Sequence, residues 1–249
     1  MQVVLVQEAS ALDPGENRAR LESLVPDGAD LVVLPEAFAR DFGEPGSGLA
    51  AYAEPLDGPF VTEVERVAKL RDTTVVAGMF ETAADTPYNT VVVRGRAQLD
   101  YRKIHLYDSF GYRESDVLAA GPIVPATFDL DGTTIGLMTC YDLRFPELGR
   151  RLVDAGAEVI LVPAAWVAGA RKVDHWTTLL RARAIENTAY VVGVGQPTAR
   201  YSGHSMVVGP LGDVLAEGGA DAEILTVEID PAAVAEARRT NPSLLNRRL

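Results

Sequence analysis

Cys140, the only cysteine of the chain, lies in Leu137-Met138-Thr139-Cys140-Tyr141-Asp142-Leu143-Arg144-Phe145-Pro146-Glu147. An apolar run of strand type ends at the thiol, and Pro146 follows where a helix would take its first turn, so the segment predicts a strand, an elbow and a helix. A thiol at that elbow lies beside backbone N–H groups and the positive end of the helix, an environment expected to stabilise a thiolate. Two more strand-type runs end in chemically loaded residues, Leu34-Pro35-Glu36 and Tyr101-Arg102-Lys103. Functional groups collect where the strands of α/β sheets end. Converged there, the three residues define a reaction class: Cys140 attacks, Glu36 takes the thiol proton, and Lys103 holds the negative charge that develops on a carbonyl oxygen. Taken singly, each residue has a plainer use, as core filler, helix cap or solvated charge.

The elements that must position these groups alternate between strand and helix patterns, which points to α/β layering. Strand patterns cover 3–6, 31–34, 74–80, 88–94, 98–103, 125–130, 134–139, 159–162, 190–194, 205–208 and 224–228. Helix patterns begin at Asp13-Pro14 and run to about Leu24, carry Val61, Val64, Val67, Ala68 and Leu70, cover 146–155 and about 172–187, and start again at Pro231. The strands at 74–80 and 88–94 read as an antiparallel pair, so the sheet is expected to be mixed. From Ile104 to Pro122 periodicity fades, and a long irregular stretch of this kind often covers a site. With no internal repeat and no clean linker, residues 1–249 read as one domain with a short basic tail from about Asn241.

Composition narrows the function classes. The chain has 249 residues, 47% hydrophobic and 23% charged, as expected of a globular protein. Lys plus Arg number 23 against 35 Asp plus Glu, a net charge of −12 that disfavours nucleic acid as a partner. No apolar run is long enough to span a bilayer, the N-terminus reads as a first strand, and one cysteine cannot close an intrachain disulfide, so the cytoplasm is the default compartment. His105, His175 and His204 lack metal-ligand spacing, and a metal is not called for. Gly203-His204-Ser205-Met206-Val207 lacks the last glycine of a serine elbow. Gly193-Val194-Gly195-Gln196-Pro197 breaks where a dinucleotide loop needs a helix start.

Across essentially its full length, the chain resembles the carbon–nitrogen hydrolase, or nitrilase, superfamily. The resemblance rests on the glutamate after an apolar strand, on Tyr-Arg-Lys-Ile-His-Leu-Tyr-Asp around Lys103, and on Cys-Tyr-Asp-Leu-Arg-Phe-Pro-Glu from Cys140. It implies a four-layer α-β-β-α sandwich with mixed sheets, no cofactor, and homodimerisation or a higher homo-oligomer. It also implies a fourth catalytic residue, Glu114, which steadies the lysine and the substrate, and an oxyanion contact from the backbone N–H of Tyr141. Glu36 then serves both halves of the reaction, acylation of Cys140 with loss of ammonia and hydrolysis of the thioester.

Within the superfamily, His105-Leu106-Tyr107-Asp108, Pro163-Ala164-Ala165-Trp166-Val167, the segment 175–184 and the tail Asn246-Arg247-Arg248-Leu249 resemble amidases acting on deaminated glutathione. Such a 2-oxo dicarboxylic amide needs a cationic pocket that an acidic protein must create locally. Arg113, Arg171, Lys172 and His175 are candidates because they fall in expected rim loops, and Trp166 is a candidate pocket wall. Arg144 reads instead as a buried structural cation paired with Asp142 or Glu147. Two alternatives stand beside this reading: an ω-amidase for short 2-oxo acid amides, and a non-catalytic dimeric scaffold of the same fold.

Overall fold

The structure, a computed structural model, describes residues 1–109 and 111–248. Phe110, which opens the segment carrying Glu114, and Leu249, which ends the basic tail, lie outside the described residues.

β1 (Gln2–Gln7), β2 (Leu31–Val33), β3 (Thr74–Glu81), β4 (Tyr88–Arg94) and β5 (Leu99–Arg102) lie side by side in that order, and β14 (Glu223–Glu228) closes the other edge beyond β1. The second sheet has the order β13-β12-β11-β10-β9-β8, built from β8 (Thr127–Leu130), β9 (Thr133–Leu137), β10 (Val159–Ala164), β11 (Tyr190–Gly195), β12 (Met206–Val208) and β13 (Val214–Glu217). Each sheet is parallel at its centre and antiparallel toward its edges, so both are mixed.

Successive strand residues point to opposite faces, and β1 shows what each face meets. Val3 and Leu5 enter the core between the sheets with Leu31, Val33, Val91 and Leu137, whereas Val4 and Val6 pack with Leu21, Val61 and Val64 under the outer helices. Those helices are α1 (Pro14–Leu24), opened by Asp13 as its side chain accepts from the Gly15 N–H at 2.7 Å, and α2 (Pro59–Leu70). On the second sheet lie α3 (Pro146–Asp154) and α4 (Lys172–Asn187), whose Trp176, Leu180 and Ala184 are buried against it with Leu179 half-buried beside them. The result is the four-layer α-β-β-α sandwich.

Gly193 belongs to this packing. A Cβ there would come within 2.6 Å of Leu180 and 2.7 Å of Trp176, so the glycine lets α4 close onto β11. Ser205 is fully buried, its hydroxyl accepting from the Gly195 N–H at 3.0 Å. The stretch after Ile104 folds into a ribbon, β6 (Asp108–Ser109) with β7 (Tyr112–Arg113), and a 3₁₀ turn over Glu114–Asp116. After β14 comes α5 (Ala232–Thr240).

Candidate active site

Glu36, Lys103, Glu114 and Cys140 meet at one end of the sandwich, brought there by strands from both sheets. Glu36 follows β2 in a tight turn whose next residue, Ala37, has φ +55°. Gly78 of β3 permits that turn, since a Cβ on it would lie 2.4 Å from the Ala37 nitrogen. Cys140 follows β9 with φ +47° and opens a 3₁₀ turn over Cys140–Arg144; α3 begins only at Pro146. A left-handed conformation at a residue with a side chain is strained and persists where its surroundings over-determine it. Here buried Asp142 accepts from the Thr139 N–H (2.9 Å), the Tyr101 hydroxyl (2.6 Å) and the His105 N–H (3.0 Å), and contacts the His105 ring at 2.7 Å.

The four side chains form one network. The Lys103 ammonium, 2% exposed, donates to Glu36 Oε1 at 2.9 Å and to Glu114 Oε1 and Oε2 at 3.1 and 2.9 Å. Glu36 Oε2 accepts the Ala165 N–H at 2.7 Å, and Glu114 Oε2 accepts the Tyr107 N–H at 2.6 Å. Asn89, on β4, donates from one amide nitrogen to both carboxylates, at 2.7 Å to Glu36 and 3.2 Å to Glu114. Burial opposes the charge on Lys103, but Glu114, Glu36 and Cys140 outweigh it and hold the ammonium well above the ordinary lysine range.

The surroundings of Cys140 oppose the thiolate that the helix end was expected to stabilise. Burial raises its pKa well above the usual thiol value, Glu36 adds to the rise by charge and by a hydrogen bond, and Lys103 offsets only part of it. That direction favours the neutral thiol at rest. The reason is local: the favourable helix end is one short 3₁₀ turn away, whereas Glu36 lines the same cavity floor as the thiol.

These groups open into a cavity of about 230 Å³. Its floor is Glu36, Lys103, Glu114 and Cys140, and its walls include Tyr107, Tyr112, Tyr141, Arg144, Trp166, Lys172, Arg200 and Tyr201. No group of His, Cys, Asp and Glu suited to a metal occurs among the described residues.

The family model for carbon–nitrogen hydrolases matches residues 2–239. The chain belongs to the carbon–nitrogen hydrolase family. A deaminated glutathione amidase of Escherichia coli O157:H7 is 36% identical over 222 residues, covering 88% of this chain and 84% of the relative. A 2-oxoglutaramate amidase of Bacillus subtilis is 33% identical over 240 residues, covering 92% and 90%. Among solved structures, a CN-hydrolase superfamily protein of Xanthomonas campestris with an arsenic adduct in its active site superposes with a TM-score of 0.89 at 29% identity, over 100% of this chain and 97% of that one. The family hydrolyses carbon–nitrogen bonds, and an amide is the linkage that a thiol, a base and an oxyanion-holding ammonium can cleave together.

In this carbon–nitrogen hydrolase the sequence-expected rim residues divide. Lys172 and Trp166 line the cavity. Arg113 does not: it ends β7 just before the 3₁₀ turn that carries Glu114, and its side chain is 69% exposed and paired with Asp116 at 3.5 Å. Arg171 is spent on the turn into α4, with φ +62°, and its exposed side chain is outside the lining. His175 stands one helical turn further on, behind the wall, with Nδ1 3.4 Å from Arg144 Nη2. The Arg144 expectation is corrected too: Asp142 is committed to Tyr101, His105 and the backbone, and the Arg144 guanidinium faces the cavity, 4.9 Å from the Trp166 ring centre. Sequence reasoning also passed over Asn89 and Arg200. A lone amide in the valine-rich run Tyr88-Asn89-Thr90-Val91-Val92-Val93 was the available signal for Asn89. Arg200 carried none, because its partners Asp41 and Glu44 are remote in sequence.

No helix among the described residues is long and apolar enough to cross a membrane.

Proposed function

We propose that the protein is a cysteine-dependent amidase for amides of 2-oxoglutaric acid, with deaminated glutathione as its substrate. The observation that carries the chemistry is the gathering of Cys140, Glu36, Lys103 and Glu114 on the floor of a single cavity, with Lys103 bonded to both Glu36 and Glu114. As Sγ bonds to the amide carbon, its proton passes to Glu36. The oxyanion is held by the Lys103 ammonium and the backbone N–H of Tyr141. Collapse of the tetrahedral adduct breaks the carbon–nitrogen bond, and Glu36 returns its proton to the departing nitrogen. Water then attacks the thioester, giving its proton to Glu36, and Cys140 leaves as the thiol. Glu114 and Asn89 hold Lys103 and Glu36 in place. One carboxylate thereby acts as base and acid in turn.

The leaving group refines the expectation of ammonia. Deaminated glutathione carries its scissile amide between a 2-oxoglutaryl group and cysteinylglycine, so cysteinylglycine leaves. 2-Oxoglutaramate has the same acyl half and loses ammonia. Both substrates named for the relatives therefore converge on one acyl-enzyme, a 2-oxoglutaryl thioester, and this common acyl half supports the 2-oxoglutaric class as a whole. The choice between them rests on the somewhat higher identity to a deaminated glutathione amidase, 36% against 33%, and on the segments outside the catalytic motifs that resemble such amidases. The decisive assay follows 2-oxoglutarate, ammonia and cysteinylglycine with both substrates and a Cys140→Ala control. A preference for deaminated glutathione of more than about tenfold in kcat/KM, equivalent to about 1.4 kcal/mol, supports it. The reverse preference establishes the ω-amidase instead.

Association into a homodimer is part of this proposal. Ile185 on α4 and Leu211, Val214 and Leu215 around β13 are 42–55% exposed, and Ile185 abuts the turn at Gly212 that joins them. Sedimentation of the purified protein tests it.

A further inference from the structure

Two fully buried glutamines tie the halves of the sandwich together at the end that carries the site. Gln7, the last residue of β1, reaches the chain before β12 and after β13. Its Nε2 donates to the Gly219 and Asp221 carbonyls at 2.9 and 2.6 Å, and its Oε1 accepts the Ser205 N–H at 2.7 Å. Gln196, the residue after β11, reaches the opposite way. Its Nε2 donates to the Glu36 carbonyl at 2.8 Å, and its Oε1 accepts the Ser10 N–H at 3.1 Å. With a carbonyl on one side and an N–H on the other, an amide satisfies both partners at once. As cross-links between the sheets the two glutamines are alike, but Gln196 alone of the pair holds the turn that carries Glu36.

We propose that Gln196 is a positioning residue for the catalytic base, holding the Glu36 turn of the first sheet in register with Cys140 on the second. The inference rests on the amidase reading above, in which Glu36 acts as base and then as acid. Glu36 sits in a sharp turn, with Ala37 at φ +55°, and among the described residues no backbone N–H donates to its carbonyl. A buried carbonyl needs a donor, and Gln196 supplies it. The backbone of Gln196 is fixed on both sides: its N–H donates to the Ala164 carbonyl at 3.0 Å, and its carbonyl accepts the Gly203 N–H at 3.0 Å. Ala164 ends β10, and the next N–H, that of Ala165, donates to Glu36 Oε2 at 2.7 Å. One residue therefore acts on Glu36 from two directions. Its side chain holds the Glu36 carbonyl, and its backbone holds the strand end whose N–H aims the carboxylate. Lys103 and Asn89, by contrast, bind Glu36 Oε1 from the first sheet, so they fix the carboxylate relative to its own sheet. The nucleophile follows β9, the neighbour of β10, and the distance from base to thiol is set by how the two sheets are tied at this end.

The test sets the two glutamines against each other. Gln196→Met and Gln7→Met each remove one buried amide of similar shape, so both are expected to lower the unfolding temperature. Acylation is followed in single turnovers at saturating enzyme with 2-oxoglutaramate, with butyramide, which lacks the 2-oxo acid, and with 4-nitrophenyl acetate, whose leaving group departs without a proton. In Gln196→Met the amide reaction is expected to slow about 30- to 100-fold with the amide KM within about threefold, because a base misplaced by about 1 Å costs roughly that factor. The ester reaction is expected to slow only about 3- to 10-fold, since it needs Glu36 as base but not as acid. Gln7→Met is expected to keep wild-type rates on all three. Wild-type rates in folded Gln196→Met, equal slowing of amide and ester, or the same slowing in Gln7→Met overturns the proposal. Should Gln196→Met not fold, the bias of amide over ester is read from Gln196→Asn, which keeps the amide on a shorter stem, and its absence there overturns the proposal as well. A wild-type protein acylated by the ester and by neither amide defeats the amidase reading, while a Gln196-dependent ester rate still upholds the positioning role. Inertness toward the ester too defeats both.

Discussion

Replacing Lys103 with methionine removes the only cation among three mutually bonded, buried charges. In the native protein its ammonium lies 2.9 Å from an oxygen of Glu36 and 2.9 Å from one of Glu114, with all three side chains at most 2% exposed. The variant retains two carboxylates facing each other, with the Asn89 amide as their shared donor. Breaking a buried ion pair from one side costs about 3–5 kcal/mol, because the partner charge is left uncompensated. For a chain of this size that lowers Tm by roughly 6–20 °C and leaves a folded but weakened protein. The cost has a pH signature. The orphaned carboxylates hold a proton more tightly when folded than when unfolded, so they contribute stability below the unfolded value of about 4.3 and lose it as pH rises through the folded value. The deficit against wild type is therefore greatest near pH 8 and shrinks toward pH 5. Adding Glu114→Gln removes one of the two facing charges, so the double variant is expected to be at least about 1 kcal/mol more stable than Lys103→Met alone at pH 7.5. Urea unfolding of wild type, both single variants and the double variant between pH 5 and 8 measures all of this. A Lys103→Met protein within about 1 kcal/mol of wild type at pH 7.5, or a deficit that grows as pH falls, refutes the reasoning.

Other expectations follow from the same geometry. Iodoacetamide should alkylate Cys140 slowly at pH 7 and faster only above about pH 9, because burial and Glu36 keep the thiol protonated; rapid labelling at neutral pH would show that the thiolate is the resting form. Asn89→Leu is expected to lower kcat at least about tenfold at little change in KM, since it removes the donor shared by Glu36 and Glu114, and unchanged kcat in a folded variant rejects a positioning role. Gly78→Ala should cost about 3 kcal/mol or more, as its Cβ meets the Ala37 nitrogen at 2.4 Å and must displace the turn that carries Glu36; an unfolding midpoint equal to wild type contradicts this. At alkaline pH, burial and then Asp142 raise the Tyr101 phenol above its unfolded value of about 10, and burial likewise raises the Cys140 thiol. Both groups contribute stability below their unfolded values and lose it as pH rises through the folded ones, so Tyr101→Phe should flatten the fall in stability above pH 10.

The frame of the molecule was legible because its central strands are buried on both faces. Val3–Val6, Val75–Ala77 and Val159–Val162 read as β-branched runs whatever they pair with, and Asp13-Pro14 announces α1 through its own capping chemistry. β13, at a sheet edge with three of its four residues exposed, has no such pattern and was missed. The β6/β7 ribbon has only two residues in each strand and emerges from turns and long-range bonds, among them the Tyr107 N–H to Glu114. At the site, Glu36, Lys103 and Cys140 stood out because each ends a strand. Asn89 and Arg144 gain their significance only from neighbours that folding brings in, Asn89 from Glu36 and Glu114, and Arg144 from Trp166 and His175. The burial and the Glu36 charge that raise the Cys140 pKa are invisible in the sequence for the same reason. Local sequence displays the helix that follows, not the carboxylate arriving from the other sheet.

The most direct test of thioester chemistry at Cys140 is rapid acid quenching of the enzyme during turnover, followed by intact-protein and peptide mass spectrometry. Deaminated glutathione and 2-oxoglutaramate are each expected to leave the same 2-oxoglutaryl group, on Cys140 alone, with no such adduct on Cys140→Ala protein. Different adducts from the two substrates, an adduct on another residue, or undiminished turnover by Cys140→Ala would contradict the mechanism.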